Sequence, residues 1–409
     1  MFPFLSNGDD FTSDVYCNLD IISFMFSVHS VVNRKAWFIS ISIFLVLRVV
    51  VSLWMVGVRQ IFHSPLGPDP SLRPYLNVTV ENHPLLEVWQ RWDTLHYQAI
   101  AEKGYFAFDA ALFVPPLYPS LIALISRMFG INTLIAGILI SNISFLFMLV
   151  SLYQLTYDEF QNHQVALRTL IYFASFPTAF FFLAAYTESI LLLAAIRTLF
   201  YLRRASWVKA GIWGAIAALS RLPGIFIIIP IAYKVIRLKK DERNFSAWCM
   251  LIFATIGVVF FPLYVWCVLK LPPWTPFIIQ SERFHGGLAW PGLNLLHTLK
   301  YILSGQNVLI NSLDLTFILI FLLLTWFVLR YMPGEYVIYS LAFMGLYLIR
   351  TGQPYPLLGM TRYVLVFFPA FMLCGKWGSK PFINRLILYP SWVLALFLSG
   401  QFAIWGWAG

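Results

Sequence analysis

The sequence returns repeatedly to apolar runs of about 18 residues or more, long enough to cross the roughly 30 Å hydrocarbon core of a bilayer as helices. That repetition settles the solvent before it settles the fold. With 60% of its 409 residues apolar, 18% aromatic and only 11% charged, the chain reads as an all-α polytopic membrane protein, since backbone in lipid must close its hydrogen bonds within helices. The first span is expected over 36–58. Further candidates run approximately 131–154, 166–186, 187–202, 207–220, 222–236, 247–269, 310–330, 335–350, 362–376 and 386–407, about 11 transmembrane helices in all. Residues 111–129, with Pro115, Pro116 and Pro119, read as a half-span or re-entrant helix rather than a crossing.

A net charge of +10 does not point to nucleic acid, because the basic residues are dispersed and cap apolar runs, as topology determinants and anionic-lipid contacts do. Residues 1–35 hold Asp9, Asp10, Asp14 and Asp20 and lack the order of a cleaved signal peptide, so they read as a cytoplasmic tail. Residues 36–409 then form one transmembrane domain. Arg34 and Lys35 before the first span deliver 59–110 to the opposite face as a long first extracytoplasmic loop. Arg203-Arg204, Arg237 to Lys240 and Lys376 to Arg385 then fall on the cytoplasmic side, in agreement. Cys17, Cys249, Cys267 and Cys374 show no paired spacing and read as unpaired thiols. No soluble domain or internal repeat is evident.

This topology brings five polar islands to one face: Trp89 to Tyr105, Tyr186-Thr187-Glu188, Ser220-Arg221, Leu271 to Trp290, and Arg350 to Arg362. They are candidates to converge on one cavity. In the first, Asp93 shares a helical face with His96 and Tyr97, while Trp89 and Trp92 suit the interfacial belt; the plainer reading makes Asp93 a helix N-cap and Trp92 an anchor. Glu188 sits within the middle apolar block, where an ionisable group costs roughly 2.5–3.5 kcal/mol and needs a wet cavity or a partner. It is either a substrate contact, beside Tyr186, or the structural partner of Arg221. Arg221 and Arg362 offer planar, permanently charged forks suited to phosphate, against headgroup snorkelling as the alternative. Glu282, Arg283 and His285, in a loop with aromatic and glycine neighbours, fit an acceptor-binding lid or an ordinary solvated loop. Nothing in the sequence requires a metal, since no DxD pair, HExxH or compact His/Asp cluster stands in these islands, and no GxGxxG or P-loop requires a nucleotide cofactor. Asn77-Val78-Thr79 is a glycosylation sequon on the far face; Asn142-Ile143-Ser144, inside a span, shows how readily such triplets arise by chance.

The blocks Arg91-Trp92-Asp93, Ile100 to Tyr105 and Pro116-Leu117-Tyr118-Pro119, together with Phe176 to Ser189, resemble the PIG-V-like mannosyltransferase family, which adds the second mannose to glycosylphosphatidylinositol. Ser220 to Gly224 and Thr361-Arg362-Tyr363 with Phe368-Pro369 are similar to its later blocks, so the resemblance spans roughly 40–375. It implies a GT-C-type fold, an acidic residue in the first extracytoplasmic loop, matched by Asp93, and a polyprenyl-phosphate sugar donor. The Pro-Asn-Phe block of the eukaryotic enzymes is missing, and Pro276 to Pro291 looks more like the loop of shorter prokaryotic relatives. The expectation is therefore a prokaryotic plasma membrane, or the endoplasmic reticulum if the host is eukaryotic and the acceptor is glycosylphosphatidylinositol.

The resulting expectation is an inverting transfer of a mannose-type sugar to a lipid-linked or cell-surface glycan acceptor. Asp93 acts as base, Trp92, His96, Tyr97, Tyr186 and Glu188 orient substrate, and Arg221 and Arg362 hold the donor phosphate. The rival is a transporter or flippase, for which intramembrane Glu and Arg would serve equally.

Overall fold

The computed structural model describes residues 11–62, 76–108, 111–240, 242–283 and 286–409, with side chains from Val32 onward except that of Arg283. Its helices are α1 (Phe11–Ile61), α2 (Pro84–Glu87), α3 (Asp93–Lys103), α4 (Leu117–Phe129), α5 (Thr133–Phe160), α6 (His163–Ala174), α7 (Glu188–Arg203), α8 (Trp207–Ser220) and α9 (Ile228–Arg237). There follow α10 (Phe245–Cys267), α11 (Thr275–Arg283), α12 (Leu293–Leu303), α13 (Val308–Tyr331), α14 (Gly334–Ile349), α15 (Met360–Tyr363), α16 (Phe368–Trp377) and α17 (Pro381–Ala403). Strands β1 (Gly287–Leu288) and β2 (Arg350–Thr351) pair antiparallel, with Leu288 opposite Arg350. The protein is all-α and polytopic, as expected. Helix α1 runs straight through the anticipated boundary at residue 36.

Among the described residues five helices are long and apolar enough to span a bilayer: Val32–Ile61 within α1, α5, α10, α13 and α17. Most of the other anticipated spans are shorter helices. Helices α4, α8 and α14 have 13, 14 and 16 residues, or about 20–24 Å at 1.5 Å per residue. The 13 residues of α4, ended by Gly130 in the left-handed region at φ 64°, match the half-span reading of 111–129.

Two anticipated spans are interrupted where the chain approaches the protein's centre. Over 166–186, α6 stops at Ala174 and a buried irregular segment follows, with a 3-10 turn at Ala179–Phe182. Pro177 has no amide hydrogen to extend the helix, and polar side chains from neighbouring helices take up the freed carbonyls. Asn142 Nδ2 and Arg48 Nη1 each donate to Leu183 O at 3.0 Å, and Ser141 Oγ donates to Tyr186 O at 2.8 Å. Irregular backbone at membrane depth is tolerated because it is buried in protein. Asn142, part of the intramembrane sequon, is thus a buried structural donor. The run 362–376 is interrupted likewise, by a 3-10 turn at Val364–Val366 between α15 and α16.

Helices α8 and α10 pack through small residues, since any side chain at Gly211 or Gly257 would collide with Met250 or Ala215. Close backbone approach of this kind replaces the hydrophobic drive that lipid removes. An aromatic cluster of Phe145, Phe173, Phe182, Phe176, Phe321 and Phe371, with ring centroids 5.0–5.9 Å apart, joins α5, α6, α13 and α16. Above this core the interrupted segments leave a cavity.

Candidate active site

The cavity encloses about 750 Å³ and is walled mostly by apolar side chains, among them Phe113, Leu222, Phe226, Phe277 and Ile278. All five polar islands contribute to its lining, through residues such as Asp93, Thr187, Arg221, Ser281 and Arg362. An apolar chamber of this size with a few convergent polar groups is what a ligand site requires.

Asp93 is the first residue of α3, which enters from a strained backbone. Trp92, the N-cap, sits at φ 51° and ψ −119° without a side-chain capping bond, a conformation that costs a non-glycine residue about 1–3 kcal/mol and persists only where its surroundings impose it. Its indole is held edge-on between Trp405 and Trp407, at 6.0 and 5.7 Å. Buried Arg91 donates to Ala403 O at 3.2 Å and to Glu87 Oε1 at 2.9 Å, with its guanidinium 4.8 Å from the centre of the Trp405 ring. The Tyr186 hydroxyl accepts the Asp93 amide at 3.1 Å.

These contacts present the Asp93 carboxylate, 27% exposed, to the cavity. Arg362 Nη1 lies 3.2 Å from Asp93 Oδ2, while Arg362 Nε lies 3.2 Å from Glu188 Oε1. Arg221 Nη1 pairs with the same Glu188 oxygen. Glu188 is only 6% exposed and backs a minute void behind the arginines instead of lining the main cavity. One buried carboxylate therefore holds two guanidiniums whose other faces line the cavity. His96 Nδ1 is 3.9 Å from Asp93 Oδ1, and its ring packs against Phe108 and Phe113. Burial, reinforced by the Asp93 charge, raises the Tyr97 hydroxyl above the usual phenol range, so it stays neutral. The buried Trp92 Nε1 has no hydrogen-bond partner.

The acceptor-loop candidates fall differently. Helix α11 lines the cavity with the face that carries Phe277, Ile278, Gln280 and Ser281, and Trp274 joins them from just before the helix. Glu282 lies off that face and is exposed. The side chain of Arg283 and all of His285 lie outside the described residues. Arg350, named only as the edge of an island, lines the cavity from β2 with its guanidinium 5.1 Å from the Tyr363 ring centre. Trp407, the last residue of the anticipated span 386–407 but beyond the end of α17 at Ala403, lines it too. Among the described residues no group of three His, Cys, Asp or Glu side chains is placed to hold a metal ion.

A chamber floored by carboxylate–guanidinium pairs and built by a polytopic helical fold suits a membrane enzyme. Residues 20–265 match the family model described as Mannosyltransferase (PIG-V), more than half of the chain, and the chain belongs to that family. It is a membrane glycosyltransferase, with the all-helical, multi-span build expected of the GT-C type. No curated protein matches it significantly. Its structure is similar to the crystal structure of ArnT from Cupriavidus metallidurans bound to undecaprenyl phosphate, with a TM-score of 0.47 and 14% sequence identity over 90% of this chain and 76% of that chain.

Proposed function

We propose that the protein transfers a mannose-type sugar from a polyprenyl-phosphate donor to a lipid-linked or cell-surface glycan acceptor, with inversion, in the Asp93 cavity. The observation that carries this reading is the shared cluster in which Arg362 bridges Asp93, open to the cavity, and Glu188, buried behind it. The acceptor hydroxyl gives its proton to Asp93 as its oxygen bonds to the anomeric carbon. The bond from that carbon to the phosphate oxygen breaks on the opposite face, and polyprenyl phosphate leaves with the electron pair. Arg362 engages the two carboxylates through Nη1 and Nε; with Arg221 it meets the charge developing on the departing phosphate. Trp92, His96, Tyr97 and Tyr186 shape the sugar subsite, Trp92 offering its indole N–H. The apolar walls accept the prenyl chain.

The cavity is assigned to the extracytoplasmic face of a prokaryotic plasma membrane. The basic groups Arg203, Arg204, Arg237 and Lys239 lie at the opposite end of the bundle from Asp93, which supports that orientation. Residues 1–35 then form the cytoplasmic tail, 36–409 the membrane domain and 59–110 the first extracytoplasmic loop. Membranes containing the protein, supplied with labelled polyprenyl-phosphate mannose and extracted host lipids, are expected to yield a new mannosylated lipid or glycan. Consumption of donor without any glycosidic product would contradict the reading.

A further inference from the structure

A second cavity, of about 200 Å³, lies between the first turns of α13 and the last turns of α17. Its sides are Leu309, Leu313, Phe397 and Leu398, and its polar end is Asp314, Thr361 and Gln401. Trp407, Ala408 and Gly409 line both this cavity and the main one. Leu309 and Phe397 are exposed on helices long and apolar enough to span, so the cleft opens toward lipid. At about 30 Å³ per water-sized group it holds six or seven such groups, room for the part of a lipid where its chain meets its head group, with the rest of the chain lying in the bilayer.

Asp314 supplies the chemical evidence. It is buried within the α13 span, where a carboxylate is costly. Its Oδ1 accepts the amide of Thr361 at 2.8 Å, at the start of the short helix that carries Arg362. That cap needs one oxygen and no charge. The second oxygen, Oδ2, is buried without a hydrogen-bond partner and belongs to a residue that lines the cleft. Such an oxygen takes a hydroxyl donor, which a phosphodiester head group without a hydroxyl does not offer.

We propose that this cleft binds the lipid acceptor of the transfer reaction: a lipid whose hydrocarbon chain lies against Leu309, Leu313 and Phe397 and whose head group donates a hydroxyl to Asp314 Oδ2. The proposal rests on the transferase reading of the Asp93 cavity. The donor is anionic and belongs with Arg221 and Arg362, whereas the cleft offers a carboxylate and approaches the same arginine from behind Thr361. The acceptor's sugar reaches Asp93 past Trp407.

The test uses purified full-length protein and two photoactivatable probes with the same diazirine-bearing octyl chain, an octyl glucoside and an octyl phosphocholine. The glucoside is expected to label α13 and α17, with labelling reduced about tenfold by Asp314→Asn, the scale for loss of one hydrogen bond. The phosphocholine probe, with no hydroxyl to donate, is expected to be indifferent to that change. Leu313→Trp, which fills the cleft away from the catalytic groups, is expected to raise the KM for extracted acceptor lipids about tenfold and to leave the donor KM unchanged. Labelling confined to the main cavity, labelling equal in wild type and Asp314→Asn, or a rise in donor KM alone would overturn the proposal. Absence of mannose transfer by wild type would instead refute the transferase reading, while cross-linking would still report on the cleft.

Discussion

Helices α7 and α14 each carry charged groups at both ends, and the two ends differ in kind. At one end Arg203 and Arg204 meet Glu159 and Asp158 at 3.2 and 2.6 Å, and Lys234 meets Glu335 at 2.6 Å. The arginine side chains are 37% and 35% exposed, and pairs of that sort contribute about 0–1 kcal/mol each. At the other end Glu188 and Arg362 are buried with half-buried Arg221 and partly exposed Asp93, and Arg350 stands beside them. Charge buried at that depth weakens a fold unless every group is matched. On the functional reading, the cavity-facing sides of Arg221 and Arg362 find their remaining match in an anionic substrate. The same residue types make a fastener where water screens them and a reaction site where it does not.

The sharpest way to break this contrast is Arg362→Met, which unties both carboxylates at once. Transfer is expected to fall about 10²–10³-fold, the scale for losing one charge-stabilising donor in a protected site, measured as initial rate at saturating donor. Arg221→Ala is expected to act mainly on donor use, raising the donor KM about tenfold with the acceptor KM unchanged; unaltered donor kinetics would remove Arg221 from the phosphate clamp. Smaller still is Tyr186→Phe, which deletes the hydroxyl at the Asp93 amide and should lower kcat a few-fold, about 1 kcal/mol of positioning. Smallest is Arg204→Ala at the screened end, expected to change thermal stability by at most about 1 kcal/mol and transfer not at all.

The convergence of five polar islands was legible because topology places them on one face, and the structure draws all of them to one cavity. Asp93, Arg221, Arg362 and Tyr186 line it together, while Glu188 stands just behind. Asp314 was missed although it satisfies the criterion that singled out Glu188, an acidic residue inside an apolar run. Arg350 was passed over because guanidiniums at span ends usually snorkel. The irregular segment from Phe176 to Thr187 could not be told from a span by composition, because its carbonyls are taken up by Arg48, Ser141 and Asn142, remote in sequence. Glu282 looked like a lid residue in the loop, but the helical phase of α11 turns Ser281 inward instead.

The most direct measurement sets one carboxylate from each end side by side: purified Asp93→Asn and Glu159→Gln, matched for helicity and amount, assayed for mannose transfer from polyprenyl-phosphate mannose. A base at Asp93 predicts a loss of about 10²–10⁴-fold in the first variant and wild-type transfer in the second. Full transfer by a folded Asp93→Asn protein would contradict it.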